Sequence, residues 1–289
     1  MRSKTARFRR NPLRLGAKWA LGIPAIVFGV LAYGYVTLPD VRPLATANPA
    51  TTAFMDLRAE DARSRGKPVR KIQRWIGYKR ISPDLKRAVL VAEDAAFWDH
   101  DGVDYDELQR SIELDWARGQ LVRGASTITQ QLAKNLYLSP SRNPARKLRE
   151  LIIARRLEAE LQKARILELY LNVIEWGDGI YGIEAAAQAY FGHSAATLGP
   201  APSALLAAAI INPRLLNPAR PTPRLLRRQE MILKRMGRVT PPVETASSRP
   251  SEPSSAQPVV PPEAPPDLLP SVLPTAPPEP PAGSTAEPK

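Results

Sequence analysis

The chain has 289 residues, enough for one large domain or two small ones, and its formal net charge at pH 7 is +13. It has no cysteine and only two histidines, which excludes disulfides, thiolate catalysis and Cys-ligated zinc and argues against a His-rich metal site. The basic excess favours anionic partners, such as nucleic acid, a membrane surface or a phosphorylated substrate.

The first predicted element is a transmembrane helix over residues 19–38, which carry no charge. At about 1.5 Å per residue, such a helix spans the roughly 30 Å of bilayer hydrocarbon. Residues 1–18 contain Lys and Arg but no acid, so the positive-inside rule places them in the cytoplasm and the rest of the chain outside it. The alternative is a cleaved signal peptide, with Ala45–Ala47 as the cleavage triplet. Against it, the apolar run exceeds the usual length of about 7–15 residues.

The other end of the chain, residues 239–289, is rich in Pro, Ala, Ser and Glu and almost free of aromatic residues. Such a segment cannot bury enough apolar surface to offset the entropy lost on ordering. It is predicted to be a disordered Pro-rich tail that acts as a spacer, with a specific docking peptide as the alternative.

Between these segments, residues 45–238 are predicted to form a mainly α-helical domain with little strand. Residues 69–80 are expected to be extended or irregular. A helix then runs over 81–97, with Ser82 as N-cap and Pro83 in the first turn. The patterns predict further helices, with Ser126 and Asn143 as the caps of the second and third, over 105–119, 125–138, 143–161, 164–172, 182–192, 202–212 and 223–237.

Glu93 and its neighbour Asp94 stand in an apolar stretch of the predicted 81–97 helix. Leu85, Val89, Glu93 and Phe97 are spaced by four, so the Glu93 carboxylate projects from an apolar line. Loss of hydration there is expected to raise its pKa toward neutrality, as a general base or acid requires. The alternative is that both acids form structural ion pairs with a neighbouring helix.

Two further segments present polar and basic side chains at helical spacing. In 124–135, "GASTITQQLAKN", hydroxyl, amide and ammonium groups share faces near a helix N-terminus, which suits a sugar phosphate. In 142–150, "RNPARKLRE", Arg146 and Glu150 lie four apart with Lys147 beside them, which suits an anionic leaving group. The alternatives are a solvated polar face and an ordinary helix ion pair.

Five segments in this order resemble the motifs of the peptidoglycan glycosyltransferases, glycosyltransferase family 51. They are "EDAAFWDHDGVD", "GASTITQQLAKN", "RKLRE", "KARILELYLN" and "GDGIYGIEAAAQAYFG". The resemblance covers about residues 70–235. The last segment is more similar to the monofunctional biosynthetic transglycosylases than to the bifunctional penicillin-binding proteins.

The resemblance implies an enzyme that polymerises lipid II into β-1,4 glycan strands, with inversion at the donor anomeric carbon and release of undecaprenyl pyrophosphate. Glu93 then matches the catalytic base and Glu150 the second catalytic acid, which assists departure directly or by ordering its cationic neighbours. Lys134, Arg146 and Lys147 match the residues that hold the pyrophosphate. The other implied substrate-binding residues line the donor cleft or shape the first motif: Asp94, Phe97, Ser126, Gln130, Gln131 and Asn135. His100 also belongs to the first motif.

The family's fold implies a lysozyme-like helical head lobe, from 82–99 and 144–235, and a smaller jaw lobe within 100–143. The implied location is the bacterial inner membrane, with a cytoplasmic N-terminus and a periplasmic catalytic domain. The implied partners are lipid II, the lipid-linked glycan chain, the membrane and other cell-wall synthesis or division proteins, but no nucleic acid. Mg²⁺ or Mn²⁺ is left open, with no ligands assigned.

Two other functions compete with this interpretation. One is a glycan-cleaving enzyme related to lytic transglycosylases or lysozyme, against which the basic cluster argues because glycan cleavage releases no pyrophosphate. The other is a non-enzymatic scaffold that displays the Pro-rich tail.

Overall fold

The computed structural model describes residues 28–29, 34, 36–118, 126–139 and 144–237, and within them no side chain of 112, 114–118 or 144. These residues all fall in the first of two units of the chain, 1–243, and the second unit, 244–289, lies outside them. The predicted segments 1–18 and 239–289 and most of the predicted transmembrane run 19–38 also lie outside them. Within the described ranges, no helix is both long enough and apolar enough to cross a bilayer.

The described part of the chain is mainly helical, which confirms the predicted mainly α class. Nine α-helices lie wholly within it: α1 (Ala53–Ser64), α2 (Pro83–Glu93), α3 (Tyr105–Arg118), α4 (Ile128–Tyr137), α5 (Pro144–Glu160), α6 (Lys163–Val173), α7 (Ile183–Phe191), α8 (Pro200–Ala209) and α9 (Pro223–Met236). Three short strands accompany them: β1 (Ile72–Gln73), β2 (Glu175–Gly177) and β3 (Ile180–Tyr181). Helix α1 and the small sheet were not predicted from the sequence.

The start of helix α4 differs from the prediction. Thr127, not Ser126, is the N-cap, and its hydroxyl oxygen accepts a hydrogen bond from the Gln130 backbone N–H at 3.2 Å. The same hydroxyl donates to the Gly102 carbonyl at 2.7 Å. Thr127 therefore joins α4 to the loop of the first motif, a contact between distant residues that a local sequence pattern cannot show.

The end of helix α2 also differs from the prediction, because the helix stops at Glu93 rather than continuing to residue 97. Asp94 adopts φ −165° and ψ 83°, outside the helical region. Its carboxylate instead accepts a hydrogen bond from the Ile128 backbone N–H at the start of α4, at 2.9 Å. Phe97 therefore does not continue the Glu93 line, and Glu93 is the last helical residue rather than one in mid-helix.

The core is built from α2, α8 and α9 packed together and from α4 packed against α5 and α6. The sheet has strand order β1-β3-β2, with β1–β3 parallel and β2–β3 antiparallel.

Asn172 at the end of α6 links the chain before α2 to this core. Its amide accepts from the Ile76 N–H and donates to the Ile76 carbonyl, both at 2.9 Å. The end of α2 and the start of α4 lie side by side, joined by the hydrogen bond from the Ile128 N–H to Asp94.

The last two residues of the predicted transmembrane run, Thr37 and Leu38, and the short segment that follows them are part of the folded domain. Leu38, Val41 and Leu44 are buried in the core. Arg149 of α5 donates to the Thr37 carbonyl at 3.0 Å, and Arg165 of α6 donates to the Leu44 carbonyl at 2.8 Å. The chain thus leaves the core at residue 37, beside the N-terminal half of α5.

Candidate active site

Glu93 lies at the end of α2 with only 12% of its side chain exposed. Its Oε2 accepts a hydrogen bond from Gln131 Nε2 at 2.9 Å, and its Oε1 lies 3.8 Å from Arg228 Nη2 of α9. Burial raises the pKa of the Glu93 carboxyl above its ordinary value, against the opposing effects of the Gln131 hydrogen bond and the Arg228 and Lys134 charges. The site therefore contains a desolvated carboxylate with one oxygen anchored and the other outside hydrogen-bond range of Arg228.

Asp94, the next residue, binds His100 and the start of α4. The Gly102 N–H donates to His100 Nδ1 at 3.1 Å, so the proton of the neutral ring sits on Nε2, which donates to Asp94 Oδ1 at 3.0 Å. Asp94 Oδ2 accepts the Ile128 N–H at the N-terminus of α4, where a negative charge is stabilised. Both Asp94 oxygens are thus occupied in fixing the loop to α4.

The second carboxylate, Glu150 of α5, is almost fully buried, with 4% of its side chain exposed. Lys147 Nζ donates to Glu150 Oε1 at 2.6 Å, and Arg146 Nη1 donates to Oε2 at 2.9 Å. Lys147 Nζ also donates to Ser126 Oγ and to Gln130 Oε1, each at 3.1 Å. The predicted basic cluster is therefore joined to the predicted hydroxyl and amide face of α4.

The Lys134 ammonium group of α4 interacts electrostatically with both carboxylates, Glu93 and Glu150. Burial lowers the pKa of its ammonium group, and the charges of Glu150 and Glu93 oppose that shift while those of Arg146 and Lys147 add to it. Among the described residues its side chain has no hydrogen bond or ion pair. A desolvated ammonium group in this position attracts anions more strongly than one in water.

A cleft of about 270 Å³ opens in front of Glu93. Ser126 and Thr127 form part of its wall, and Ser126 connects it to the Lys147 cluster. The other described lining residues with charged side chains are Asp94, Asp104, Glu107, Arg110 and Arg235. The cleft thus offers both a carboxylate and cations to a ligand.

Two of the predicted substrate-binding side chains make contacts with other parts of the fold. Phe97 is fully buried, with Lys163 Nζ 4.5 Å from the centre of its ring. Lys163 also donates to the His100 carbonyl and, at 2.9 Å, to Glu158 Oε1. Asn135 Nδ2 donates to the Gln131 carbonyl at 2.8 Å within α4. Phe97 and Asn135 thus support the first motif and α4 respectively.

Among the residues of the site that were not predicted from the sequence are Tyr170, Arg228 and Arg235. Tyr170 donates its hydroxyl to Gln131 Oε1 at 3.1 Å. Arg228 and Arg235 both come from α9, whose many basic residues are typical of a solvated helix face. Only the packing of α9 on α2 identifies which of its arginines reach Glu93 and the cleft.

The described residues form no group of three or more His, Asp or Glu side chains that could hold a metal ion. Glu93 and Glu150 are each bound to other groups in separate clusters. These side chains do not fit a protein-held divalent cation, and no chemical step is assigned to one.

Comparison with known proteins gives two consistent findings. Residues 62–237 match the family model described as Transglycosylase. The chain is similar to proteins named biosynthetic peptidoglycan transglycosylase from three bacteria. The one from Nitrosospira multiformis is 47% identical over 195 residues, 68% of this chain and 85% of the relative. The one from a Janthinobacterium species is 47% identical over 218 residues, 75% and 94%. The one from Laribacter hongkongensis is 42% identical over 226 residues, 78% and 99%.

Proposed function

Since this chain belongs to the transglycosylase family and is a peptidoglycan glycosyltransferase, we propose that its substrate is lipid II, polymerised into β-1,4 glycan strands. The donor anomeric carbon is inverted, and undecaprenyl pyrophosphate leaves. The observation that carries the proposal is that consecutive residues of α4 bind the two carboxylate clusters. Gln131 donates to Glu93, and Gln130 accepts from Lys147, which also donates to Glu150. A base and a cationic site for a leaving pyrophosphate are needed in one cleft.

Glu93 acts as the general base in this proposal. Its Oε1 takes the proton from the acceptor's 4-hydroxyl as that oxygen attacks the donor's anomeric carbon. Burial favours this step because it raises the pKa of Glu93, and a carboxylate with a raised pKa accepts a proton more readily near neutral pH. Gln131 fixes Oε2, so the carboxylate is oriented before substrate arrives.

Glu150 acts by ordering cations rather than by transferring a proton. Each of its oxygens accepts a short hydrogen bond, one from Lys147 and one from Arg146. A carboxylate with both oxygens engaged in this way is poorly placed to donate a proton. It instead holds two cations toward the pyrophosphate, whose negative charge grows as the glycosidic bond breaks.

Lys134 completes the leaving-group site. Its ammonium group is desolvated, so its interaction with a phosphate oxygen is strong and little water must be displaced when that contact forms. Ser126 and Gln130 already bond to Lys147 and would line the donor side of the cleft.

The membrane location and the lobes of the fold belong to the same proposal. The run predicted over 19–38 forms the transmembrane anchor, except for Thr37 and Leu38, which belong to the folded domain. Residues 1–18 lie in the cytoplasm, and the catalytic domain lies in the periplasm as a lysozyme-like head with a smaller jaw. In support, the chain leaves the core at Thr37, held by Arg149 next to Glu150. An anchor ending there would place the cation cluster close to the bilayer, where a lipid pyrophosphate resides. Other cell-wall synthesis or division proteins are proposed partners.

The test is incubation of the purified full-length chain with labelled lipid II and, separately, with peptidoglycan sacculi. The proposal expects muramidase-sensitive polymer from lipid II and no fragments from sacculi. Release of fragments without polymer would assign the glycan-cleaving function instead. Absence of both activities in a folded chain would favour the scaffold.

A further inference from the structure

The second carboxylate oxygen of Glu93 is held by a two-step hydrogen-bond chain that begins in the core. Tyr170 of α6 is fully buried. Its hydroxyl donates to Gln131 Oε1 at 3.1 Å, and Gln131 Nε2 donates to Glu93 Oε2 at 2.9 Å. Both polar atoms of the Gln131 amide are therefore hydrogen-bonded: its oxygen accepts from Tyr170, and its nitrogen donates to Glu93.

We propose that Tyr170 is a positioning residue, which fixes the Gln131 amide with its NH₂ group toward Glu93 and thereby favours the ionised, correctly oriented base. The inference rests on the proposed role of Glu93. It adds a specific task for a residue of α6 that does not itself touch the cleft.

The direction of the effect follows from what each group can donate. An amide has two orientations, and a carboxylate can only accept hydrogen bonds. The flipped amide would present its carbonyl oxygen to Glu93, an arrangement that is favourable only when Glu93 is protonated. Burial raises the pKa of Tyr170 well above its ordinary value, so its hydroxyl remains a donor across the working pH range. Among the described residues the Tyr170 O–H donates to no acceptor other than Gln131 Oε1, so a flipped amide would leave this buried donor unpaired. Tyr170 therefore selects the amide orientation that stabilises ionised Glu93.

The other charged groups around Glu93 remain when Tyr170 loses its hydroxyl. Arg228 faces Glu93 from α9, Lys134 from α4, and Asp94 is its neighbour in the chain. The remaining charged groups line the cleft, namely Asp104, Glu107, Arg110 and Arg235. A change in pH dependence on removing the hydroxyl is therefore attributable to the hydrogen-bond chain.

The first experiment measures kcat and KM for lipid II against pH in the full-length Tyr170→Phe variant. The expected result is a loss of about tenfold in kcat, the cost of one net hydrogen bond. KM should stay nearly unchanged. In the plot of kcat against pH, the acid limb, where the rate falls as the base becomes protonated, should move to higher pH. The matched control is Tyr190→Phe, which removes another hydroxyl from a partly buried tyrosine, one that donates to the Trp176 carbonyl at 3.0 Å. The control should keep the wild-type profile.

The second experiment asks whether Tyr170 acts through Gln131. In Gln131→Met the amide is gone, so Tyr170→Phe added to it should cause no further loss of kcat and no further movement of the acid limb. An unmoved limb in Tyr170→Phe, or losses that multiply in the double variant, would overturn the inference.

A Glu93→Gln variant separates this inference from the proposed function. If Glu93→Gln is inactive and Tyr170→Phe leaves the limb in place, only the inference fails. If Glu93→Gln polymerises lipid II normally, the proposed function of Glu93 fails, and the inference fails with it.

Discussion

Gln130 and Gln131 are consecutive residues of helix α4, yet their side chains belong to two different clusters. The Gln131 amide donates to Glu93, whereas the Gln130 carbonyl oxygen accepts from Lys147, which is bound to Glu150. One turn of a helix thus connects the proposed base and the proposed leaving-group site. Because helices are stiff, the spacing between these sites is set by backbone geometry rather than by mobile loops.

Arg228 is predicted to keep Glu93 ionised at lower pH. Its guanidinium lies 3.8 Å from Glu93 Oε1 and lowers the pKa that burial raises. Replacing it by Gln removes the positive charge, so the pKa of Glu93 rises further. Since the base must be ionised to act, the acid limb of the kcat/KM profile should move to higher pH.

The control for this variant is Arg227→Gln, which removes the same charge from an exposed position one residue away. The control should leave the acid limb in place. If both variants shift the limb equally, the effect comes from the general charge of α9 and not from Arg228.

Lys134 is predicted to contribute to donor binding. Lys134→Ala removes a desolvated ammonium group, and loss of such a charge-assisted contact should weaken affinity for a lipid pyrophosphate donor by about tenfold to a hundredfold. Titration of the donor in detergent measures this affinity. Lys234→Ala, which removes an exposed lysine of α9, is the control. Equal donor affinity in both variants would place the pyrophosphate elsewhere.

Glu150 is predicted to act through Arg146 and Lys147, and the pH profile distinguishes this from proton donation. Glu150→Gln disturbs the arrangement of both cations, so kcat should fall. If Glu150 only orders cations, the basic limb of the profile should remain at its wild-type position. Disappearance of that limb in Glu150→Gln would make Glu150 a proton donor.

The sequence predicted most of the helices, although it missed α1 and the end of α2. Prolines at helix starts, such as Pro83 and Pro223, mark real boundaries because proline suits the first turn. The hydroxyl, amide and basic side chains predicted at 124–135 and 142–150 do meet, through Lys147.

The errors concern contacts between residues distant in sequence. The apolar residues at four-residue spacing from Leu85 to Phe97 predicted a continuous helix. The helix instead ends before Asp94, whose carboxylate binds the N-terminus of α4 and His100. Arg228 could not be chosen from the several basic residues of α9, because only tertiary packing selects it. Tyr170 resembles any buried aromatic residue until its hydroxyl partner is known.

The Pro-rich tail is predicted to be dispensable for chemistry, because the described side chains of the site lie within residues 91–235. A chain that ends at residue 239 should polymerise lipid II at a rate close to that of the full chain. Loss of all activity in a truncated chain that still melts cooperatively would support the scaffold function.

The most direct test of the account is the rate of lipid II polymerisation by Glu93→Gln, compared with Glu60→Gln, which alters an exposed acid of α1. Gln preserves the shape of the side chain but cannot take a proton, and general-base catalysis contributes about a hundredfold to ten-thousandfold. We expect a loss of that order in Glu93→Gln, with thermal stability and donor binding retained, and a normal rate in Glu60→Gln. A near-normal rate in folded Glu93→Gln would contradict it.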